Sequence, residues 1–209
     1  MPIFAYYIII FIVAYLLGSL PWGLWIGLAY GKDVRKAGSG NIGATNVTRV
    51  VGPIQGKVCF FLDFLKGLLP VAGVAFCIQR GWLPVLVFGP ALALAAAVVG
   101  HMFPIFLKFK GGKGISTAAG GVAGLSPLAV IVAGAVWAAV FFRWRYVSLA
   151  SILAAAVVPV AALAFSLTGI YHVSWPSLAV LVLLAALAIF RHKSNIARLR
   201  NGTESRFVK

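Results

Sequence analysis

Acid is what this chain has least of. Three Asp and Glu residues (Asp33, Asp63 and Glu204) stand against 18 Lys and Arg in 209 residues, a formal net charge of +15. Carboxylates this few and this far apart offer no cluster for a divalent cation, so no metal site is expected. The acid–histidine arrangement HxxxxD is missing too: five residues after His101, His172 and His192 come Phe106, Ser177 and Ala197. A Ser-His-Asp triad has no support. Cysteine is equally scarce. Cys59 and Cys77 both lie in an apolar stretch without CxxC spacing, which excludes a disulfide framework and a zinc knuckle. Charge of either sign is absent from residues 1–31, 81–107, 114–142 and 146–190. A soluble protein with a pI near 10.6 would suggest nucleic acid as partner. Here the basic residues sit between apolar runs, so the positive-inside rule is the first reading and no nucleic acid is expected.

What is present is apolar: 62% of residues are hydrophobic and the mean hydropathy is +1.04. A helix crosses the hydrocarbon core in about 20 residues. Long Leu/Ala/Val/Phe runs without period-2 alternation favour helices over a barrel. The first run lacks a basic flank and is too long for a cleaved signal. The spans are expected at about 3–29, 54–78 and 82–106. Residues 115–125 read as a short half-span and 127–142 as its return, because Ser126-Pro127 breaks one helix and opens another. The run 146–190 divides into two at the break 168–176. The expectation is an all-α integral membrane protein forming one domain over 1–209. It has seven transmembrane helical segments, one a short half-span, with the N-terminus out and the C-terminus in. All basic residues but Lys66 and Arg80 then lie inside. A five-span alternative leaves Arg143 and Arg145 outside.

Three polar segments gather on that inside face. The first holds Ser39, Gly40, Asn41, Gly43, Thr45, Asn46 and Arg49. Glycines let backbone approach a ligand, successive N–H groups make an anion nest, and arginine grips phosphate bidentately. Its spacing is neither the Walker pattern nor GxGxxG after a strand. The second runs from His101 through Lys108, Lys110, Gly111, Gly112, Lys113 and Gly114 into an apolar helix. A helix N-terminus offers free N–H groups and partial positive charge, and Lys113 adds a cation. Ser116 and Thr117 could cap that helix, and Lys108 and Lys110 could be interfacial anchors. In the tail, His192 and Asn195 are three apart and share a helix face. Asp63 and Lys66, at i and i+3 inside the second span, read as a structural pair supporting the first segment.

Together these segments resemble the three signature motifs of the bacterial acyl-phosphate-dependent membrane glycerol-3-phosphate acyltransferases, the PlsY family. The matching strings are GSGNIGATNVTR (38–49), GHMFP…FKGGKG (100–114) and RH…NI.RL…GTE (191–204). The resemblance covers nearly the whole chain. It implies transfer of a fatty acyl group from acyl phosphate to the 1-hydroxyl of sn-glycerol 3-phosphate, giving lysophosphatidic acid and inorganic phosphate. Such enzymes have seven helices and a cytoplasmic-face active site in the bacterial inner (plasma) membrane. They need no acyl-CoA, acyl carrier protein, metal or other cofactor. The enzyme that makes acyl phosphate is the partner to which coupling is expected. The family's catalytic positions fall on Ser39, Arg49, Lys113, His192 and Asn195. A further serine falls on Ser148 and a structural tail glutamate on Glu204. The segments 38–49 and 101–114 would supply the rest of the substrate contacts.

A mixed anhydride is already an activated acyl donor. With no carboxylate placed as base, the expected mechanism has these residues orient two phosphates and stabilise the leaving one, while a substrate phosphate takes the hydroxyl proton. His192 as general base is the competing version. A transporter or channel for an organic anion would also use broken helices and intramembrane charge. A scaffold for acidic lipid would use the basic face alone. The concentration of polar residues at one face counts against the first, and the glycine segments against the second.

Overall fold

The computed structural model describes residues 1–207 and contains ten α-helices and no strand among them. The chain divides into two compact units, Met1–Leu125 and a second from Ser126 onward.

In the first unit, α1 (Ile3–Gly18) and α2 (Trp22–Ala29) form one apolar stretch broken at Ser19, Leu20 and Pro21. Pro21 lacks the N–H a continuing helix would need. The first polar segment is not all loop. It turns at Gly38 and Gly40, both at positive φ, and then enters a helix, α3 (Ala44–Val50), that carries Thr45, Asn46 and Arg49. Helix α4 (Pro53–Gln79) opens on Pro53. The third span, expected at about 82–106, is shorter: α5 covers Gly89–Met102 and opens on Pro90. Pro90 sits in the first turn, where its missing N–H costs nothing, and the stretch around Pro84 is not helical. After a 3-10 turn at Ile105–Leu107 comes α6 (Ile115–Leu125).

Glycines set how closely these helices pack. A Cβ on Gly18 would stand 2.1 Å from Ala97 O, and one on Gly100 would stand 2.3 Å from Tyr15 O, so α1 and α5 meet backbone to backbone. Helices α4 and α6 do the same through Gly67 against Thr117 O (2.0 Å) and Gly120 against Phe64 O (1.9 Å). Small residues at such crossings take the place of the hydrophobic drive that lipid does not supply.

The second unit has α7 (Pro127–Trp144), α8 (Val147–Leu167), α9 (Trp175–Arg191) and α10 (Lys193–Arg200). Helix α7 opens on Pro127, where the sequence placed it. Arg145, at φ 61, turns the chain into α8, and its guanidinium lies over the rings of Phe141 and Phe142. Helices α9 and α10 bend by 56° about His192. The residues after α10 fold back within the unit. Phe207 N–H donates to Arg145 O at 2.8 Å, and the Phe207 ring packs edge-on against Phe141.

Among the described residues, five stretches are long and apolar enough to cross a bilayer: Ile3–Ala29, Pro53–Gln79, Gly89–Leu107, Pro127–Trp144 and Val147–Leu167. A sixth is the bent pair Trp175–Arg191 and Lys193–Arg200, if taken as one span. Ile115–Leu125, with 11 residues, is too short by itself. Large apolar side chains such as Ile8, Phe61, Ile131 and Leu183 are exposed on these helices. This is a multi-pass membrane protein.

Candidate active site

Asn46 builds the first segment. It is 2% exposed, and its amide group donates to Val34 O (2.8 Å), Asn41 O (2.8 Å) and Ala37 O (3.1 Å), while its Oδ1 accepts from the Ser39 N–H (2.8 Å). A Cβ at Gly38 would meet that Oδ1 at 2.3 Å. Asn41 Oδ1 accepts from the Gly43 N–H at 2.8 Å, closing a local turn. Asn46 and Asn41, read from the sequence as substrate contacts, are thus occupied in shaping the segment. The Ser39 hydroxyl, the Thr45 hydroxyl and the exposed Arg49 guanidinium make no hydrogen bond or ion pair among the described residues.

The second segment folds back onto the end of α5. Gly111 N–H donates to Met102 O (3.2 Å) and Gly112 N–H to His101 O (3.1 Å). The turn between passes through two consecutive left-handed non-glycine residues, Lys108 (φ 50) and Phe109 (φ 62), a conformation that side chains resist. Gly114, at φ 80, then leads into the first turn of α6. Lys113 therefore stands at a helix N-terminus, as the sequence implied. Lys110 is exposed and unpaired among the described residues. The two segments share a core: Leu107 packs against Leu24, Val34, Ile42, Val47 and Cys59.

Asp63 and Lys66 pair as expected, Nζ to Oδ1 at 2.8 Å and almost wholly buried. Their surroundings extend the sequence reading. Lys66 Nζ also donates to Leu20 O (2.7 Å), at the break between α1 and α2. Asp63 Oδ1 lies 3.6 Å from His101 Nδ1. The pair therefore reaches the second segment and, through the Cys59 thiol that lies against both Asp63 Oδ2 and Ile42 O, the first.

In the second unit, His192 is 3% exposed and its Nδ1 is 2.8 Å from Ala188 O. A carbonyl only accepts, so Nδ1 carries the proton and the ring's acid–base chemistry belongs to Nε2. Ser148 and Asn195 do come together, on Glu204. Its Oε1 accepts from Ser148 Oγ (2.6 Å) and Asn195 Nδ2 (2.7 Å), and its Oε2 from Arg198 Nε (2.6 Å). Burial pushes the Glu204 carboxyl up, but the hydrogen bonds from Ser148, Asn195 and Arg198 outweigh it and hold the carboxyl below its ordinary range. Sequence reading missed Arg198, although its spacing from Asn195 on one helix face was visible. It also missed Arg206, whose Nε donates to the Tyr146 hydroxyl at 3.2 Å.

All three acids are committed to protein partners. Asp33 pairs with Arg35 at 2.8 Å, and hydrogen bonds from the Arg35 side chain and backbone N–H hold it at about 2. Asp63 and Glu204 are engaged as described. Among the described residues, Arg49 and Lys110 have no acid partner.

Comparison with known proteins agrees with this composition. Residues 8–202 match the family described as Glycerol-3-phosphate acyltransferase. A protein of that name from Geotalea daltonii is 45% identical over 202 residues, covering 97% of this chain and 98% of the relative. The Aquifex aeolicus protein of the same name is 45% identical over 205 residues, covering 97% and 99%. The crystal structure of PlsY, an integral membrane glycerol 3-phosphate acyltransferase, in its glycerol 3-phosphate form aligns with a TM-score of 0.84 at 40% identity, covering 97% of this chain and 96% of that one. Its lysophosphatidic acid form aligns at 0.81 with the same identity, covering 97% and 95%.

Proposed function

The chain belongs to the glycerol-3-phosphate acyltransferase family, and on that premise we propose that it moves a fatty acyl group from acyl phosphate to the 1-hydroxyl of glycerol 3-phosphate. The products are lysophosphatidic acid and inorganic phosphate. The observation that carries this reading is a unit whose two glycine segments bear Ser39, Arg49, Lys110 and Lys113 while its two acids, Asp33 and Asp63, are engaged by Arg35 and Lys66. A site with many phosphate partners and no spare acid suits a donor that is already activated and an acceptor that brings its own phosphate.

In this scheme Ser39, Arg49 and Lys113 hold substrate phosphate. Lys113 and the N–H groups at the start of α6 stabilise charge on the leaving phosphate. Gly40, Gly43, Gly111, Gly112 and Gly114 keep the backbone bare for close approach. His192, with its proton on Nδ1, meets substrate through Nε2. Ser148 and Asn195 act by holding Glu204 and with it the tail. The attacking hydroxyl's proton passes to a substrate phosphate. We assign the chain seven membrane segments with Ile115–Leu125 as the half-span, the N-terminus outside, and the glycine segments on the cytoplasmic face of the bacterial inner membrane. Trp144, exposed at the end of α7, tests this topology. A Trp144→Cys variant with both native cysteines replaced by alanine (Cys59→Ala, Cys77→Ala) should react in spheroplasts only with thiol reagent that has crossed the membrane. Reaction with an impermeant reagent added outside would contradict the assignment.

Donor choice tests the chemistry. Purified protein should form lysophosphatidic acid from acyl phosphate, and acyl-CoA of the same chain length should yield at least ~100-fold less product. Equal rates from both would overturn acyl phosphate as the donor.

A further inference from the structure

The buried polar cluster of α4 has no place in the chemistry so far. Asp63, Lys66 and His101 are 2%, 5% and 3% exposed, inside a membrane-spanning region. Burying charge there is costly, and such groups are seldom kept without a task. Each member touches a different part of the first unit. Lys66 donates to Leu20 O at the break between α1 and α2. The Cys59 thiol lies 3.7 Å from Asp63 Oδ2 and 3.9 Å from Ile42 O, in the first glycine segment. His101 turns Nδ1 toward Asp63. The opposite edge of its ring lies against Gly112: a Cβ added there would stand 2.1 Å from Nε2 and 3.0 Å from both Cδ2 and Cε1. The neighbouring glycine is as tight, since a Cβ on Gly111 would stand 2.1 Å from His101 O. Both glycine N–H groups are tied to the carbonyls of residues 101 and 102. Residue 112 precedes Lys113.

From these contacts we propose that His101 is a positioning residue: Asp63 orients its ring through Nδ1, and the ring fixes Gly112 and so the place of Lys113. The carboxylate oxygen, 3.6 Å from Nδ1 and so beyond hydrogen-bond length, attracts a protonated ring nitrogen and favours the orientation that turns Nδ1–H toward it. Lys66 Nζ is 2.8 Å from the same Oδ1 that faces the imidazole, so that oxygen is held in place and does not follow a displaced ring. Through Cys59 the same carboxylate lies two contacts from Ile42, so the two glycine segments are referred to one buried anchor. This changes the sequence expectation for His101 from substrate contact to support. The kinetic part of the proposal rests on the acyltransferase reading, and the loop geometry does not.

Three substitutions at one position separate the roles. Asn places an amide nitrogen where His carries Nδ1, Gln places one near Nε2, and Phe keeps the ring volume with neither. His101→Phe should lower kcat about 100-fold, the cost of misplacing a catalytic group by an ångström, with KM for glycerol 3-phosphate changed less. His101→Asn should stay within about 5-fold of wild type. Gly112→Ala, with His101 untouched, should reproduce the loss of the Phe variant because the ring must move. Hydrogen exchange at the Gly111 and Gly112 amides reads the same geometry without any assay. It should quicken in His101→Phe and Gly112→Ala, and match wild type in His101→Asn. Wild-type protein inactive on acyl phosphate with this exchange pattern intact would sink the acyltransferase reading and leave the positioning role standing. Recovery by Phe would reduce His101 to packing. Recovery by Gln but not Asn would make it a substrate contact. Either result, or unchanged exchange in the Phe variant, overturns the proposal.

Discussion

Lys113→Ala should cost about 10²- to 10³-fold in kcat/KM, the range seen when one preorganised donor to developing charge is removed. Lys113 is placed for that role by what surrounds it. Gly114, at φ 80, follows it and leads into α6 at Ile115, so Lys113 immediately precedes the N–H groups of the first turn. Cation and helix end act on the same leaving phosphate. Lys110 is exposed, and its attraction for phosphate is screened by solvent and salt, so Lys110→Ala should lose less than about 5-fold. His192→Ala supplies the contrast. If a substrate phosphate takes the proton, raising the pH should not restore this variant. Recovery of most activity at high pH would make His192 the general base, and a Lys113→Ala variant within about 3-fold of wild type would remove the leaving-group role.

Glu204→Ala should be the most damaging change to stability outside the helix crossings. It strips acceptors from Ser148, Asn195 and Arg198 together and frees the tail that returns to Arg145. Hydrogen bonds to charged groups contribute about 1.5–3 kcal/mol each, less where the partner is half exposed as Arg198 is. A fall in Tm on the order of 10 °C in detergent is expected. Glu204→Gln keeps an acceptor for Ser148 and Asn195 and should lose much less. The sign of the pH dependence follows from the carboxyl's lowered folded-state pKa. Its stabilisation is fully present above the unfolded value of about 4.3 and is lost as pH falls through the folded value. The gap in Tm between wild type and Glu204→Gln should therefore hold from pH 8 to pH 5 and close in stronger acid. A gap that widened on acidification would contradict this assignment.

Much of this molecule is legible in its sequence. Uncharged runs marked the apolar helices, and Ser126-Pro127 marked the junction of α6 and α7, because proline dictates local backbone wherever it occurs. The same rule applied to Pro84 and Pro90 would have shortened the third span, but the apolar run hid them. The glycine segments were recognisable by composition, yet the work of individual side chains was not. Asn46 looks like a ligand group in sequence. Only the fold shows its amide spent on the carbonyls of Val34, Ala37 and Asn41. Asp63 and Lys66 announced each other by their i, i+3 spacing. His101 joins them from 38 residues away (101 − 63), a distance no local pattern encodes. Residues 205–209 were the least informative stretch in sequence, and the structure gives Arg206 and Phe207 partners that lie 60 or more residues earlier.

Counting both products in one vessel tests the central claim most directly. Protein in liposomes would be given acyl phosphate with and without glycerol 3-phosphate, and both phosphate release and lysophosphatidic acid would be followed. The expected result is one phosphate for each lysophosphatidic acid, and release only when glycerol 3-phosphate is present. Movement of glycerol 3-phosphate into the liposomes with neither product formed would make the chain a transporter and contradict the account.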